Sequence, residues 1–291
     1  LIPDFHAMLE KGIGNVIFGA MSQAFFTLSI GMGSMAIFGS YLDKSRSLTG
    51  ETLSITILDT FVALMAGLII IPACFAYGIK PDAGPSLIFI TLPNIFNQMS
   101  GGRIWGSLFF LFLSFAALST VIAVFENIIS FAIDLWGWSR KKAVLFNIIA
   151  IIILSMPCIL GYNILSGFHP LGSGTTIMDL EDFLISSNVL PLGSLIYVMF
   201  CTSRYGWGFD NFLTESNSGN GLRFPHQLRW HMTYIIPVVV VFIYLKGYYD
   251  LFAPQGVQYL IPWMFLALLF LAFIFFLSRG KKSDKQSTYF K

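Results

Sequence analysis

Oxygen-bearing groups one helical turn apart occupy the stretch FAALSTVIAVFE, residues 115–126. In a helix, the Ala116 carbonyl and the hydroxyls of Ser119 and Thr120 lie on one face, because residues three and four apart are neighbours. Hard oxygen ligands of this kind suit a small cation. Serine and threonine also hydrogen-bond within their own helix, so the spacing alone leaves a structural role open. Glu126 is expected to be a structural hydrogen-bonding residue rather than a ligand.

Polar and small residues interrupt a second stretch, FFTLSIGMGS (25–34), in the middle of an apolar segment. Thr27 and Ser29 supply hydroxyls there, and Gly31 and Gly33 lower the cost of leaving helical geometry. Non-helical backbone in a membrane survives only against protein or a wet cavity. The ends of a broken helix carry partial charges that can hold an ion or a charged solute. The alternative is a small-residue face, with Gly31, Ser34 and Gly39 among its members, on which another helix packs, and composition does not decide between the two.

An ionisable residue, Asp59, lies within the next apolar segment, 51–77. A carboxyl group inside a membrane-spanning segment is costly and usually faces the interior of the helix bundle, which makes Asp59 a candidate functional residue. An interfacial position near the cytoplasmic end of the segment is the structural alternative.

The composition of the 291-residue chain indicates its class: 56% of the residues are hydrophobic and 11% are charged, against about 25% charged in soluble domains. With a mean hydropathy of +0.75, the chain cannot cover itself with a hydrated surface and is predicted to be a polytopic, all-α membrane protein. The net charge of +2 implies no nucleic-acid partner. The absence of HExxH and GxSxG motifs argues against an intramembrane enzyme.

Stretches long enough to cross the hydrocarbon core, about 20 residues each, are predicted at seven places. They are 14–41, 51–77, 103–135, 141–161, 182–201, 225–245 and 259–278. Between the second and third lies the apolar stretch 84–101, which Pro93 interrupts and which is too short to span. It is predicted to form a re-entrant or surface helical hairpin.

Positive charges set the orientation of such a protein. If the first span runs from outside to inside, thirteen of the seventeen Lys and Arg residues are cytoplasmic, and Lys11, Lys80, Arg103 and Lys246 are external. This predicts a multi-pass protein of the plasma (inner) membrane with an external N-terminus and a cytoplasmic C-terminus. An odd number of spans and a start at Leu1 without a signal peptide suggest further helices upstream.

Four stretches resemble the second half of the neurotransmitter:sodium symporter family, in particular its bacterial sodium-dependent amino-acid transporters. They are QAFFTLSIGMG, FITLPNIF, FAALSTVIAVFE and SRKKAVL, in this order. The resemblance runs from Pro3 to the end of the sixth span. It implies a leucine-transporter-type fold in which the first helix of this chain is broken. The seven spans then correspond to helices six to twelve of a twelve-helix transporter.

The resemblance divides the chain into three parts. Residues 1–203 would form the second inverted repeat, with five spans and the external hairpin. Residues 204–278 would form two further spans, and 279–291 a disordered cytoplasmic tail. The chain would thus be the C-terminal fragment of a transporter. Its partners would be helices one to five, membrane lipid and a second copy in a possible homodimer.

A substrate site and its gates also follow from the resemblance. The residues lining the substrate site would be Phe26, Ser29, Met32, Thr120 and Val124. Phe26 would close the pocket towards the outside. Asp182 would be an external gate residue, paired with an arginine of the absent half.

Two sodium sites are implied as well. The first would use Thr27, Asp59 and groups of the absent first helix. The second would use the Ala116 carbonyl with Ser119 and Thr120, which is the oxygen set that the spacing had already singled out.

Two positions depart from the family pattern. Met32 stands where members often have an aromatic residue, and the flexible methionine side chain predicts a pocket open to larger or varied apolar side chains. Asp59 stands where many members have asparagine. In chloride-dependent relatives an anion lies beside that position, so the fixed carboxylate predicts a transporter that does not require chloride. The resemblance further implies that Na+ is required and that no organic cofactor is.

The implied activity is sodium-coupled symport of a neutral amino acid by alternating access, with no enzymatic reaction. The alternative is a non-transporting fragment or accessory membrane subunit that keeps the fold but binds no solute. That alternative stays open because the first sodium site and the carboxylate end of the substrate site need the absent helix.

Overall fold

The computed structural model describes residues 5–76, 78 and 87–278. Pro3 and the predicted tail 279–291 lie outside these ranges. The α-helices of the described residues, in chain order, are α1 (Phe5–Lys11), α2 (Ile13–Thr27), α3 (Ser34–Ser40), α4 (Leu48–Ala76), α5 (Leu92–Gln98), α6 (Gly102–Trp136), α7 (Arg140–Gly161), α8 (Ile177–Leu184), α9 (Leu190–Thr202), α10 (Phe209–Ser216), α11 (Ile236–Phe252) and α12 (Val257–Ser278).

Short π-helical and 3-10 segments extend several of these helices. The π-helix Leu87–Thr91 leads into α5, Ile185–Val189 joins α8 to α9, and His231–Ile235 precedes α11. The 3-10 turn His226–Leu228 begins the sixth span, and the 3-10 turn Ala253–Gln255 follows α11. As a result, α8 and α9 form one continuous helix. The segments from the 3-10 turn at His226 to the 3-10 turn that ends at Gln255, with α11 between them, form another.

Six helices in the described ranges are long and apolar enough to cross a membrane. They are Leu48–Ala76, Gly102–Trp136, Arg140–Gly161, Ile177–Thr202, His226–Gln255 and Val257–Phe276. These six coincide with the second to seventh predicted spans. The first predicted span, 14–41, consists of α2 and α3 with residues 28–33 between them.

The predicted end of the sixth span at Leu245 is wrong, because the helix continues to Phe252. Lys246 had been taken as an external connecting charge. Its Nζ instead lies 2.7 Å from the Asp250 carboxylate, one turn further along the same helix, and 4.7 Å from the centre of the Phe18 ring. An ion pair between residues i and i+4 is compatible with an uninterrupted helix.

The predicted external hairpin lies partly outside the described residues, which begin again at position 87. Its described part is one helical stretch that packs on the start of α6. The Phe96 ring lies 5.5 Å from that of Phe109 and 6.4 Å from that of Phe110. Met99, in extended conformation, ends α5, and Gly101 precedes α6.

The largest buried cluster lies where α8–α9, α11 and α12 meet. Leu195, Tyr244, Tyr248 and Phe252 are at most 1% exposed there. In contrast, the most apolar 18-residue windows of α4 and α6 have no residue buried within the described chain. These apolar faces are therefore left for lipid or for further protein.

Candidate functional site

The first apolar segment contains a break. Helix α2 ends at Thr27 and α3 begins at Ser34. Between them Ser29 has a φ of 49°, Gly31 of 94° and Gly33 of 86°. This left-handed region is costly for most residues and accessible to glycine. The broken-helix interpretation is therefore confirmed.

The end of α2 at the break offers negative potential. Its last turn is closed by hydrogen bonds from the Leu28 amide to the Ala24 carbonyl (3.3 Å) and from the Ile30 amide to the Phe25 carbonyl (3.2 Å). The C-terminal end of a helix carries partial negative charge, and the exposed Thr27 adds a hydroxyl there. This end can attract a sodium ion or an ammonium group.

Helix α6 holds the break from one side. The Asn127 side-chain amide donates a hydrogen bond of 2.8 Å to the Met32 carbonyl. Such a bond satisfies a backbone oxygen that a continuous helix would have used. The sequence analysis missed Asn127. Its signal was present, because an asparagine next to Glu126 is a second polar residue within an apolar span.

Helix α9 approaches the break from another side. A Cβ placed on Gly31 would lie 2.2 Å from the Leu190 carbonyl oxygen and 2.7 Å from the Ser194 amide nitrogen. The small-residue packing face that was left open as an alternative thus exists at Gly31, together with the break. It does not extend to Gly39, where an added Cβ would meet no described atom within 4 Å.

The α6 residues assigned to the substrate site share a face with Asn127. Thr120, Val124 and Asn127 follow one another at intervals of four and three residues, which places them on one side of the helix. Because Asn127 bonds to Met32, this face of α6 is the one turned towards the break. Thr120 and Val124 therefore lie on the Asn127 face of α6, while the hydrogen bond that joins this face to the broken segment is the one between Asn127 and Met32.

The oxygen set of α6 has the expected internal geometry. The Ser119 hydroxyl lies 2.7 Å from the Ala116 carbonyl oxygen, and the Thr120 hydroxyl lies 3.4 Å from it. All three residues are exposed within the described chain. Hydroxyls that bond to a carbonyl of the preceding turn are common in helices, so this geometry fits both a cation site and ordinary back-bonding.

Asp59 lies half-buried on α4. Among the described residues, no hydrogen bond or ion pair is made by its carboxylate. One turn before it, Thr56 lines a cleft of about 410 Å³ that Ser29 and Gly31 also line. Asp59 therefore follows the face of α4 that borders the break, but no described contact joins it to Thr27.

Asp182 lies on α8, outside the break. Its carboxylate accepts a hydrogen bond of 2.7 Å from the Ser186 hydroxyl. Both residues line a cleft of about 500 Å³, to which Phe18 and Ser22 of α2 contribute. The cleft is thus bordered by the first half of the broken helix, and Asp182 is exposed within the described chain.

Glu126 is confirmed as a hydrogen-bonding residue. Its carboxylate accepts bonds from both terminal nitrogens of Arg140, at 3.0 and 2.7 Å, and from the Tyr41 hydroxyl at 2.8 Å. Tyr41 is the residue that ends α3, so this network ties the second half of the broken helix to α6 and α7.

A broken helix supported by two long apolar helices is an arrangement of membrane transporters, which bind solutes where a spanning helix is interrupted. The family model of the sodium:neurotransmitter symporter family matches residues 1–279. The chain belongs to this family of sodium-dependent transporters.

Relatives and a solved structure agree with this assignment. An uncharacterized sodium-dependent transporter of Bacillus subtilis, YhdH, is 31% identical over 84% of this chain and 53% of its own length. A similar transporter of Haemophilus influenzae is 29% identical over 85% of this chain and 52% of its own length. The crystal structure of MhsT in complex with L-phenylalanine superimposes with a TM-score of 0.73 and 36% identity, over 84% of this chain and 54% of MhsT. The chain spans about half the length of the relatives it matches.

Proposed function

We propose that the full natural protein containing this chain carries out sodium-coupled symport of a neutral amino acid across the plasma membrane by alternating access. The observation that carries the proposal is the break between Thr27 and Ser34, where α2 ends and where Asn127 of α6 donates a hydrogen bond to the Met32 carbonyl. The amino-acid class is supported by the L-phenylalanine bound to MhsT. In this proposal the chain supplies the second half of the transporter.

The residues take the following roles. The α-amino group of the substrate lies near the Phe26 carbonyl at the end of α2, and the substrate side chain lies against Ser29, Met32, Thr120 and Val124. The flexible Met32 side chain admits bulky apolar substrates. Phe26 closes the substrate pocket on its external side. Asp182 closes the cleft of about 500 Å³ that it lines.

Sodium enters as a co-substrate at two places. Thr27 and Asp59 contribute to one site, together with groups that this chain does not contain. The Ala116 carbonyl with the Ser119 and Thr120 hydroxyls forms the other. Each positive charge that moves inward gains about 2.3 kcal/mol per 100 mV of membrane potential, which drives uptake against a concentration gradient.

Chloride is not required in this mechanism. The Asp59 carboxylate supplies a fixed negative charge on the α4 face that borders the break. A bound anion would bring a second negative charge to the same place, which electrostatic repulsion opposes.

The test is binding of a pool of labelled neutral amino acids to the reconstituted full natural protein, in sodium or potassium salts and with chloride or gluconate. We expect binding that requires sodium and persists without chloride. Sodium-dependent binding that is lost in gluconate would contradict the role given to Asp59. Absence of sodium-dependent binding across the whole pool would contradict the symporter proposal and favour a non-transporting accessory subunit.

A further inference from the structure

Two glycines allow the broken segment and α9 to touch through their backbones. A Cβ on Gly193 would lie 2.2 Å from the Gly31 carbonyl oxygen, and a Cβ on Gly31 would lie 2.2 Å from the Leu190 carbonyl oxygen. Each distance is far shorter than any real contact of a Cβ atom. The contact is therefore reciprocal, and any side chain at either position must push the two backbones apart.

Helix α9 is the more deeply packed partner in this contact. Leu190, Ser194 and Leu195 are at most 3% exposed. The π-helical turn before α9 is fixed by Asn188, whose side-chain amide donates to the Phe183 carbonyl (3.0 Å) and whose side-chain oxygen accepts from the Tyr248 hydroxyl (2.6 Å). Densely packed, hydrogen-bonded helices resist displacement, so a strain at the contact moves the unwound segment rather than α9.

The unwound segment is the part of the molecule that forms the binding pocket in the proposed function. Ser29 and Met32 lie two residues before and one residue after Gly31. The positive φ angles of this segment leave it without the continuous hydrogen bonding of a helix. Its position is therefore set from outside, by Asn127 at the Met32 carbonyl and by α9 at Gly31.

We infer that Gly193 is a positioning residue of the binding site: its missing side chain lets the unwound segment rest on α9 and thereby fixes where Ser29 and Met32 stand. The inference rests on the proposed function. It adds a residue of α9, a helix outside the substrate-lining set, to those that determine substrate selectivity. It also predicts that added bulk at position 193 changes which amino acid is preferred, and not only how much protein is active.

The test compares the affinities of L-leucine and L-phenylalanine, measured by sodium-dependent binding to the full natural protein, in Gly193→Ala and in Gly167→Ala. An added Cβ at Gly167, in the turn after α7, would meet no described atom within 4 Å, so this variant is the control. We expect Gly193→Ala to change the ratio of the two dissociation constants by about tenfold, since inserting one methyl group into a tight contact typically has an effect of this size. Gly167→Ala should leave the ratio as in the unmodified protein.

The ratio does not depend on the number of folded molecules, so a purely structural role of Gly193 would leave it unchanged. An unchanged ratio with both variants inserted in the membrane would overturn the inference while leaving the symporter proposal intact. Failure of the unmodified protein to bind either amino acid would overturn both.

If Gly193→Ala does not reach the membrane, hydrogen–deuterium exchange of the unmodified protein tests the inference instead. Peptides covering 28–33 and 190–197 are followed with and without sodium and L-phenylalanine. We expect ligand binding to slow exchange in both stretches, because the contact couples them. Protection confined to 28–33 would overturn the inference.

Discussion

Two helices of this molecule leave α-helical geometry near their middle, and they do so in different ways. Between α2 and α3, helical structure is lost for residues 28–33. Between α8 and α9, the π-helix Ile185–Val189 keeps the helix continuous. The first departure contains three residues with positive φ, whereas the second contains none.

The surroundings explain the difference. Asn188, in the π-helix, is 8% exposed and is bonded to the Phe183 carbonyl and to Tyr248. The α2–α3 break is held from outside, by Asn127 and by the backbone of α9, and Phe26 at its edge is 55% exposed. The polar groups of the π-helix are thus satisfied within a core, while the break keeps exposed residues at its edge. We interpret the π-helix as structural and the break as the binding element.

The largest effect is expected for Gly31→Ala, which changes the break itself. The substitution places a Cβ 2.2 Å from the Leu190 carbonyl oxygen and puts alanine in a backbone region that it rarely adopts. Both the steric overlap and the backbone strain are unfavourable. We expect their combined cost, about 3 kcal/mol, to weaken amino-acid binding by roughly 100-fold, measured per molecule inserted in the membrane. The control is Gly137→Ala after α6, where φ is also positive (63°) but an added Cβ would meet no described atom within 4 Å. Near-normal binding by Gly31→Ala would show that the break tolerates displacement.

A smaller loss is expected for Asn127→Leu, which preserves side-chain bulk but removes the donor to the Met32 carbonyl. An unpaired carbonyl costs about 1–3 kcal/mol; the lower part of this range, about 1.4 kcal/mol, corresponds to a tenfold loss of affinity. Titration with labelled amino acid measures it. Asn147→Leu serves for comparison, because Asn147 donates only within its own helix, to the Ala143 carbonyl. Equal effects of the two substitutions would contradict a specific role of Asn127 at the break.

The smallest effect is expected for Tyr248→Phe, which removes a hydroxyl from the π-helix network. The Asn188 side-chain oxygen then keeps only the longer contact, 3.5 Å, with the Tyr244 hydroxyl. We expect a loss of about 1 kcal/mol of stability, or a fall in melting temperature of about 2–4 °C, with amino-acid affinity unchanged. Tyr249→Phe, at a residue that is 55% exposed, should not shift the melting temperature. A large loss of affinity in Tyr248→Phe would contradict the purely structural role given to the π-helix.

Much of the fold could be predicted from the sequence, because long apolar stretches and glycine-containing interruptions are local signals. The spans from α4 to α12 were found in this way. At Ser29 to Gly33 the local pattern left a broken helix and a packing face equally open, and the family resemblance favoured the break. The predicted end at Leu245 failed because a single lysine was interpreted without its partner Asp250. The short helix α10 was not predicted, since its eight residues carry no span-length apolar signal.

The residues that support the site were harder to predict. Asn127 and Gly193 act through contacts with residues more than 90 positions away in the chain, at Met32 and Gly31. The π-helical turn at Asn188 likewise depends on Tyr248, which belongs to another helix. Local sequence patterns carry no information about such contacts. The roles assigned to the substrate, sodium and gate residues all stay predictions, among them those of Thr27, Asp59 and Asp182.

The most direct measurement of the central claim is the sodium dependence of L-phenylalanine binding to the full natural protein in two variants. The double substitution Ser119→Ala, Thr120→Ala removes both hydroxyls of the α6 oxygen set. The control Ser114→Ala removes a hydroxyl of the same helix that also bonds one turn back, to the Phe110 carbonyl. We predict that the double variant loses sodium-dependent binding while Ser114→Ala retains it. Retained binding with an unchanged sodium titration in the double variant would show that these hydroxyls only back-bond within α6, and would contradict the account.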